Sequence, residues 1–199
     1  MKKVLHVGCG MKRIDQTVQG FNNGQWQEVR LDIDVAVQPD IVGTMTDMSG
    51  VTDASMDAIF SSHNIEHLYP HEVPIALKEF QRVLQADGFC VITCPDLKSV
   101  CERVAQDDLL GVAYDSPAGP ITPLDILYGF RPSMAKGNVF MAHRCGFTQT
   151  TLRQALKDAG FASVATSARP AHFDLWALAS KKAWSEADLK ALAQSYFYH

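Results

Sequence analysis

Two glycines near the amino terminus follow an apolar run and form the first candidate binding element. Residues 4–7 lead into Gly8, Cys9 and Gly10, which predicts a buried strand that ends in a glycine turn. Such a turn lets the backbone approach a bound nucleotide closely, although a tight turn without a ligand has the same pattern. Arg13 stands in place of the third glycine of the fingerprint Gly-x-Gly-x-x-Gly, so the dinucleotide form of this motif is incomplete.

An acidic residue lies at the end of the second predicted strand. Asp32 follows Gly10 by 22 residues, which is the separation at which an acid can meet the ribose of a bound nucleoside. A carboxylate suits that task because its paired oxygens can accept from both ribose hydroxyls. Asp34 competes for the role, and a solvated turn aspartate is the alternative. We favour Asp32 because it lies where the strand ends.

A polar segment after the third predicted strand has the groups that adenine recognition needs. Adenine requires one acceptor for its amino group and one backbone N–H for a ring nitrogen. Asp47 could be the acceptor, and the amide of Met45 or Met48 the donor, with the methionine side chains beside the ring. A helix cap followed by core methionines explains the same residues.

His63, Glu66 and His67 match the inverted zinc-protease motif H-x-x-E-H. On a helix, the two histidines would share a face and could bind zinc. The context disfavours this interpretation, because a predicted strand precedes the motif and a turn at Pro70 follows it. We therefore expect no metal, and a zinc hydrolase built on these three residues is kept as an alternative.

Four segments appear together in an order that is typical of one family: residues 5–10, the acid that ends the second strand, residues 56–68 and residues 79–88. Together they resemble the class I S-adenosylmethionine-dependent methyltransferases of the small, type 11-like kind, over residues 4–96 and more loosely over 143–181. The resemblance implies a Rossmann-like α/β fold with a seven-stranded, mostly parallel sheet, the last strand antiparallel, and helices on both faces. It implies S-adenosyl-L-methionine as the cofactor and S-adenosyl-L-homocysteine as a product.

The chain departs from the family pattern at His6, where an acid is usual, at Lys12, where a third glycine is frequent, and at Thr44, where an acid is common. The resemblance also places the ends of the first four strands around the cofactor. The cofactor-binding residues expected on this basis are His6, Gly8, Cys9, Gly10, Asp32, Ile33, Met45, Thr46, Asp47, Met48, Ser61, Ser62 and His63.

The acceptor site is expected to involve a lid inserted at about residues 98–146 into a single domain of residues 1–199. Ligands of open α/β sheets bind beyond the carboxyl ends of the strands, and this segment would cover that crevice. Tyr128, Arg131 and His143 are the predicted substrate-binding residues, and Arg131 would favour a carboxylate or phosphate on the acceptor. His63, Asp96 and His143 are the predicted catalytic residues, because an oxygen or nitrogen nucleophile needs a base.

Hydrophobic periodicity and breakers place the elements that hold these residues. A helix is predicted over residues 70–85 with Asp87 and Gly88 as its stop, a second is capped at Thr150 or Thr151 and runs to 159, and Ser185 caps a terminal helix. The predicted strands are residues 4–7, 27–34, 40–45, 56–61, 89–94, 164–168 and 173–179.

Composition limits the class of protein. The 199 residues are 47% hydrophobic with a net charge of -4, which is typical of a globular chain and disfavours nucleic acid as a partner. No apolar run has the length of a signal core or a membrane span, so we expect a cytoplasmic protein without a membrane partner. The expected partner is a small-molecule acceptor, and a homodimer is left open. A methyltransferase-like fold that acts only as a binding module is the remaining alternative.

Overall fold

A mostly parallel, seven-stranded sheet is assembled from strands that come from distant parts of the chain. The computed structural model describes residues 1–197. The strands in this range are β1 (Lys2–Val7), β2 (Trp26–Asp32), β3 (Ile41–Val42), β4 (Met56–Ser62), β5 (Leu84–Pro95), β6 (Tyr114–Ser116), β7 (Gly119–Ile121), β8 (Ser163–Arg169) and β9 (Asp174–Ser180). The α-helices are α1 (Val73–Val83), α2 (Leu97–Val104), α3 (Pro123–Tyr128), α4 (Arg131–Met134), α5 (Gln149–Asp158) and α6 (Glu186–Tyr196).

The strand order within residues 1–197 is β3-β2-β1-β4-β5-β9-β8, with β6 and β7 in a separate hairpin. The first five strands are mutually parallel, and β9 is antiparallel to both β5 and β8. The predicted Rossmann-like sheet with an antiparallel last strand is confirmed. The order reverses at β1, between β2 and β4, and this is the switch point at which such sheets bind ligands.

Helices cover both faces of the sheet because alternate strand residues point to opposite sides. Leu5 of β1 packs in the cluster that contains Leu77 of α1 and Leu152 of α5. Val4 packs in a second cluster, on the other side, with Tyr196 of α6. Each cluster excludes water from one face, so the carboxyl edge of the strands is held between two packed layers.

The structure corrects two predicted boundaries. Helix α1 ends at Val83 and β5 begins at Leu84, so the predicted stop at Asp87 and Gly88 lies inside the strand. Met56 of β4 pairs with Leu84 of β5, and Ala58 pairs with Phe89. The residues of β5 between Leu84 and Phe89 therefore outnumber those opposite them and form an irregular bulge. The cap of α5 is Thr148, whose side chain accepts from the Thr151 backbone, rather than Thr150 or Thr151.

The segment at 98–146 has more regular structure than its weak periodicity predicts. It contains most of α2, the β6–β7 hairpin, α3 and α4. The start of α3 has a local cause, because Thr122 and Asp125 form a capping box around Pro123. Among residues 1–197, no helix combines the length and the apolar character that crossing a membrane requires.

Candidate active site

A cavity of about 440 Å³ opens at the carboxyl ends of β1, β2 and β4 and at the turn after β3. This position is the ligand crevice expected for an open parallel sheet. Its lining residues are Val7, Gly8, Gly10, Leu31, Asp32, Ile33, Asp34, Val37, Gly43, Thr44, Met45, Thr46, Ser62, His63, Asn64, His67, Leu68, Glu72, Asn138, Phe140, Met141 and Arg144.

The glycine turn has a backbone that other residues adopt at a cost. Gly8 and Gly10 have φ angles of +60° and +51°, in the left-handed region that favours glycine. A Cβ on Gly8 would lie 2.1 Å from Oδ1 of Asn64, whereas a Cβ on Gly10 would meet nothing within 4 Å. Asn64 is fixed at this point because its amide donates to the carbonyls of Val7 and Ser62, at 3.0 and 2.9 Å. Asn64 therefore shapes the turn, although the sequence patterns gave no signal for it.

Asp32 joins the glycine turn to the loop after β2. Its Oδ2 accepts from the Gly10 amide at 2.8 Å, and its Oδ1 accepts from the Asp34 amide at 2.9 Å. The side chain is largely buried at 8% exposure and lines the cavity. An ionised carboxylate has about four acceptor positions, so it can hold both amides and still accept from a ligand. Asp34 instead accepts from the Ala36 amide at the start of the next turn.

A buried arginine connects the same two loops by hydrogen bonds to their backbone carbonyls. Arg30 of β2 is 3% exposed, and its guanidinium donates to the carbonyls of Gly10, Val37 and Gln38. Three carbonyls from two loops thereby share one cation, which fixes the distance between the loops. No pattern in the sequence indicates this role of Arg30, because the alternation of a strand does not show which side chain will reach a distant loop.

The structure brings together most of the predicted cofactor-binding residues. The predicted residues that line the cavity are Gly8, Gly10, Asp32, Ile33, Met45, Thr46, Ser62 and His63. The predicted residues outside its lining are His6, Cys9, Asp47, Met48 and Ser61.

The residues outside the lining have other contacts. His6 is buried against Phe60, and its Nδ1 lies 2.8 Å from a Glu28 carboxylate oxygen. Met48 is fully buried in the core, and Asp47 accepts from the Ser49 amide. Met48 is therefore a core methionine, as the alternative interpretation expected, whereas Asp47 caps no helix, because only turns separate β3 from β4.

The three predicted catalytic residues have different surroundings. His63 lines the cavity, and its side chain is 47% exposed. Desolvation lowers the pKa of His63, but the Glu66 carboxylate 3.4 Å from its Nδ1 raises it by more, so the net pKa is above the ordinary value. Asp96 is buried, and its carboxylate caps α2 by accepting from the Lys98 amide and the Ser99 hydroxyl. His143 lies behind the lining, with its ring 5.0 Å from that of His67.

The structure does not bring Tyr128 and Arg131 into the cavity. Tyr128 is 61% exposed, and the Arg131 guanidinium is occupied by both carboxylate oxygens of Asp125. The predicted lid segment, residues 98–146, instead contributes Phe140 and Arg144, which line the cavity together with Asn138 and Met141. The Arg144 guanidinium lies 4.8 Å from the Tyr69 ring and donates to the His67 carbonyl.

The Asp125–Arg131 pair predicts a pH-dependent contribution to stability. Burial raises the pKa of the Asp125 carboxyl, but hydrogen bonds from Arg131 and Thr122 lower it by more, so the net pKa is far below its usual range. Such a carboxyl stabilises the fold above its unfolded pKa, about 3.9, and this contribution is lost as the pH falls toward the folded pKa.

We therefore expect Arg131→Met to lower the free energy of unfolding at neutral pH, by an amount that shrinks below about pH 4. Urea denaturation of the wild type and the variant across this range measures the difference. Arg153→Met is the control, because Arg153 is exposed and donates only to the Val164 carbonyl in the part of the chain that the structure describes. A difference for Arg131→Met that does not change with pH would contradict the assignment.

The zinc-protease spacing does not form the helical face that the motif requires. His63 has a φ of +55°, outside the short 3-10 helix Ile65–His67 that follows it. The two histidines are consequently not related by one helical turn, and the hydrolase interpretation loses its geometric basis.

Comparison with known proteins assigns the fold and identifies a methyltransferase domain. Residues 5–92 match the family model described as a methyltransferase domain. The PH0226 protein of Pyrococcus horikoshii is similar over 90% of this chain and 82% of its own, with 16% identity and a TM-score of 0.60. The 1,6-didemethyltoxoflavin-N1-methyltransferase of Burkholderia thailandensis, solved with 1,6-didemethyltoxoflavin and S-adenosylhomocysteine, is similar over 89% of this chain and 70% of its own, with 16% identity and a TM-score of 0.55. Among the curated proteins, no sequence matches this chain significantly.

The fold is that of the class I S-adenosylmethionine-dependent methyltransferases, and residues 5–92 match the model of a methyltransferase domain. The family model covers the end of β1, β2 to β4, α1 and most of β5, the part of the chain that contains the glycine turn and Asp32. The match and the fold support an enzyme that uses S-adenosylmethionine as the methyl donor. This assignment favours catalysis over the binding module that the sequence left open.

Proposed function

We propose that this enzyme transfers the methyl group to an oxygen or nitrogen atom of a small-molecule acceptor that carries an anionic group. The observation that carries the proposal is Arg144, a cation that lines the cavity and whose guanidinium donates to the carbonyl of His67, another lining residue. A cavity of about 440 Å³ is in the range typical of small-molecule sites. The predicted acceptor class is retained, with Arg144 in the role first given to Arg131.

The other end of the cavity fits the adenosyl part of the cofactor. The open space above Gly10 allows close approach of a ligand, and the Asp32 carboxylate has acceptor positions left for ribose hydroxyls. Met45 and Thr46 line the wall after β3, on the far side of β2 from β4. The methionine part would then lie toward Ser62 and His63 at the end of β4.

The residues of the chain have to align the acceptor and exclude water. S-adenosylmethionine supplies a methyl group that its sulfonium has already activated. Phe140 and Met141 line the cavity from the segment after α4, where apolar side chains would keep water from the reacting atoms. His63 is the residue we place beside the nucleophile, to accept the proton that an O–H or N–H group releases as its bond to the methyl carbon forms.

The test uses methyl-labelled S-adenosylmethionine with phenols, hydroxy acids and N-heterocycles, each in an anionic and an esterified form. We expect label only in anionic members, and a weaker preference for them in Arg144→Gln. His63→Gln should lower turnover by about 100-fold or more, which is a much larger change than the one expected in the affinity for S-adenosylhomocysteine measured by calorimetry.

His71→Gln is the matched control, because His71 is exposed and outside the lining of the cavity. Equal labelling of neutral and anionic members would contradict the acceptor class. Normal turnover in His63→Gln would remove His63 from the reaction. A chain that binds no S-adenosylhomocysteine would contradict the cofactor site itself.

A further inference from the structure

We propose that Glu66, His67 and His143 form a binding site for a divalent transition-metal ion, with zinc as the ion that best matches these ligands. Two imidazoles and a carboxylate are a ligand set that zinc enzymes use with a fourth position left open. This inference concerns metal binding alone and does not depend on the methyl acceptor. The set differs from the H-x-x-E-H spacing, because His143 replaces His63.

The three side chains converge on one point. One ligand atom from each lies within 4.8 Å of the others, and the rings of His67 and His143 are 5.0 Å apart. Ligand atoms around tetrahedral zinc are about 3.3 Å apart, given metal–ligand bonds of about 2.0–2.1 Å. Metal binding would therefore require the side chains to rotate so that these atoms approach one another by up to about 1.5 Å.

Backbone partners orient both histidines for metal binding. Nδ1 of His67 lies 3.1 Å from the Ala142 carbonyl, and Nδ1 of His143 lies 2.7 Å from the Ile126 carbonyl. A carbonyl can only accept, so each Nδ1 carries the hydrogen and the neutral ring presents a free electron pair on Nε2. A carbonyl partner for the second ring nitrogen is the arrangement that metal-binding histidines usually have.

Glu66 is the observation that points most directly to a ligand. The residue is 1% exposed, and neither carboxylate oxygen has a hydrogen-bond partner among residues 1–197. His63 Nδ1, at 3.4 Å, is farther away than the 2.7–2.9 Å typical of a charge-assisted hydrogen bond. Apart from this long contact with His63, the buried carboxylate has no donor in the described part of the chain. Such an arrangement is costly, and a divalent cation would supply the missing charge and coordination.

The fold fixes this cluster from both sides. The amides of Arg144 and Cys145 donate to the Glu66 carbonyl, and the His143 amide donates to the Tyr128 carbonyl. These backbone bonds hold the segment after α4 against the end of β4, so the two histidines meet although they are 76 residues apart in sequence. Since His67 also lines the cavity, the open coordination position would lie near it.

The test is metal binding by the full-length protein without a histidine tag. The protein is stripped with a chelator and titrated with Zn²⁺ by calorimetry and with Co²⁺ by visible absorption, which reports tetrahedral coordination. We expect one equivalent of each ion in the wild type. His143→Ala and Glu66→Gln should each weaken binding by about 100-fold or more and abolish the tetrahedral cobalt spectrum.

His172→Ala is the control, because His172 is exposed and distant in sequence from the cluster. Circular dichroism of each variant shows whether it is folded, and Glu66→Gln keeps the shape of the side chain if His143→Ala proves unstable. Failure of the wild type to bind either ion would overturn the proposal. Equal affinity in the wild type and a folded Glu66→Gln would also overturn it. These results are independent of S-adenosylhomocysteine binding.

Discussion

Asp32→Ala is expected to weaken S-adenosylhomocysteine binding by about 10- to 100-fold, since hydrogen bonds to a charged group contribute about 1.5–3 kcal/mol. The substitution removes two groups of hydrogen bonds at once, those to the ligand and those to the backbone. The Asp32 carboxylate would no longer accept from the ribose hydroxyls, and the amides of Gly10 and Asp34 would lose the acceptor that fixes the glycine turn. Calorimetric titration with S-adenosylhomocysteine measures the change.

Asp32→Asn separates these effects, because one amide oxygen keeps part of the backbone contact while the charge is lost. We expect an intermediate affinity for this variant. Asp34→Ala is the comparison at the neighbouring carboxylate, whose contact with the Ala36 amide is local. A larger loss for Asp34→Ala than for Asp32→Ala would transfer the ribose contact to Asp34. Unchanged affinity in both variants would contradict the placement of the adenosyl group.

Arg30→Met is expected to lower the free energy of unfolding by about 3 kcal/mol and to reduce the affinity for S-adenosylhomocysteine. Methionine fills most of the buried volume but cannot donate, so the carbonyls of Gly10, Val37 and Gln38 lose their shared partner. For a chain of this size, a loss of that magnitude lowers the melting temperature by roughly 6–12 °C. Thermal and urea unfolding measure the stability, and calorimetry measures the binding.

Arg153→Met is the matched control for Arg30→Met, because it makes the same chemical change at an exposed arginine. We expect it to change stability by less than about 0.5 kcal/mol. A change in Arg30→Met no larger than in this control would show that the three carbonyl contacts do not hold the loops. Reduced stability with unchanged ligand affinity would show that Arg30 supports the fold without shaping the glycine turn.

Much of the fold could be predicted because its signals are local. Apolar runs and breakers located the strands, and Ser185 was identified correctly as the cap of α6. The cavity residues that were found, such as Gly10 and Asp32, follow directly from strands that end at the same edge of the sheet. A residue at the end of a parallel strand is placed by its position in the strand, so spacing along the chain is sufficient to identify it.

The sequence by itself determined the order along the chain of the seven strands of the main sheet and of α1, α5 and α6, the glycine turn and the acid that follows it. These features depend on near neighbours and on the period of each element. Only the tertiary structure decided that Arg131 pairs with Asp125, that Arg30 reaches two loops, and that His143 meets Glu66. These contacts depend on how the segment after β5 folds back on β4 and on where long side chains end. Packing of distant segments determines that outcome, and it leaves no periodic pattern in the chain.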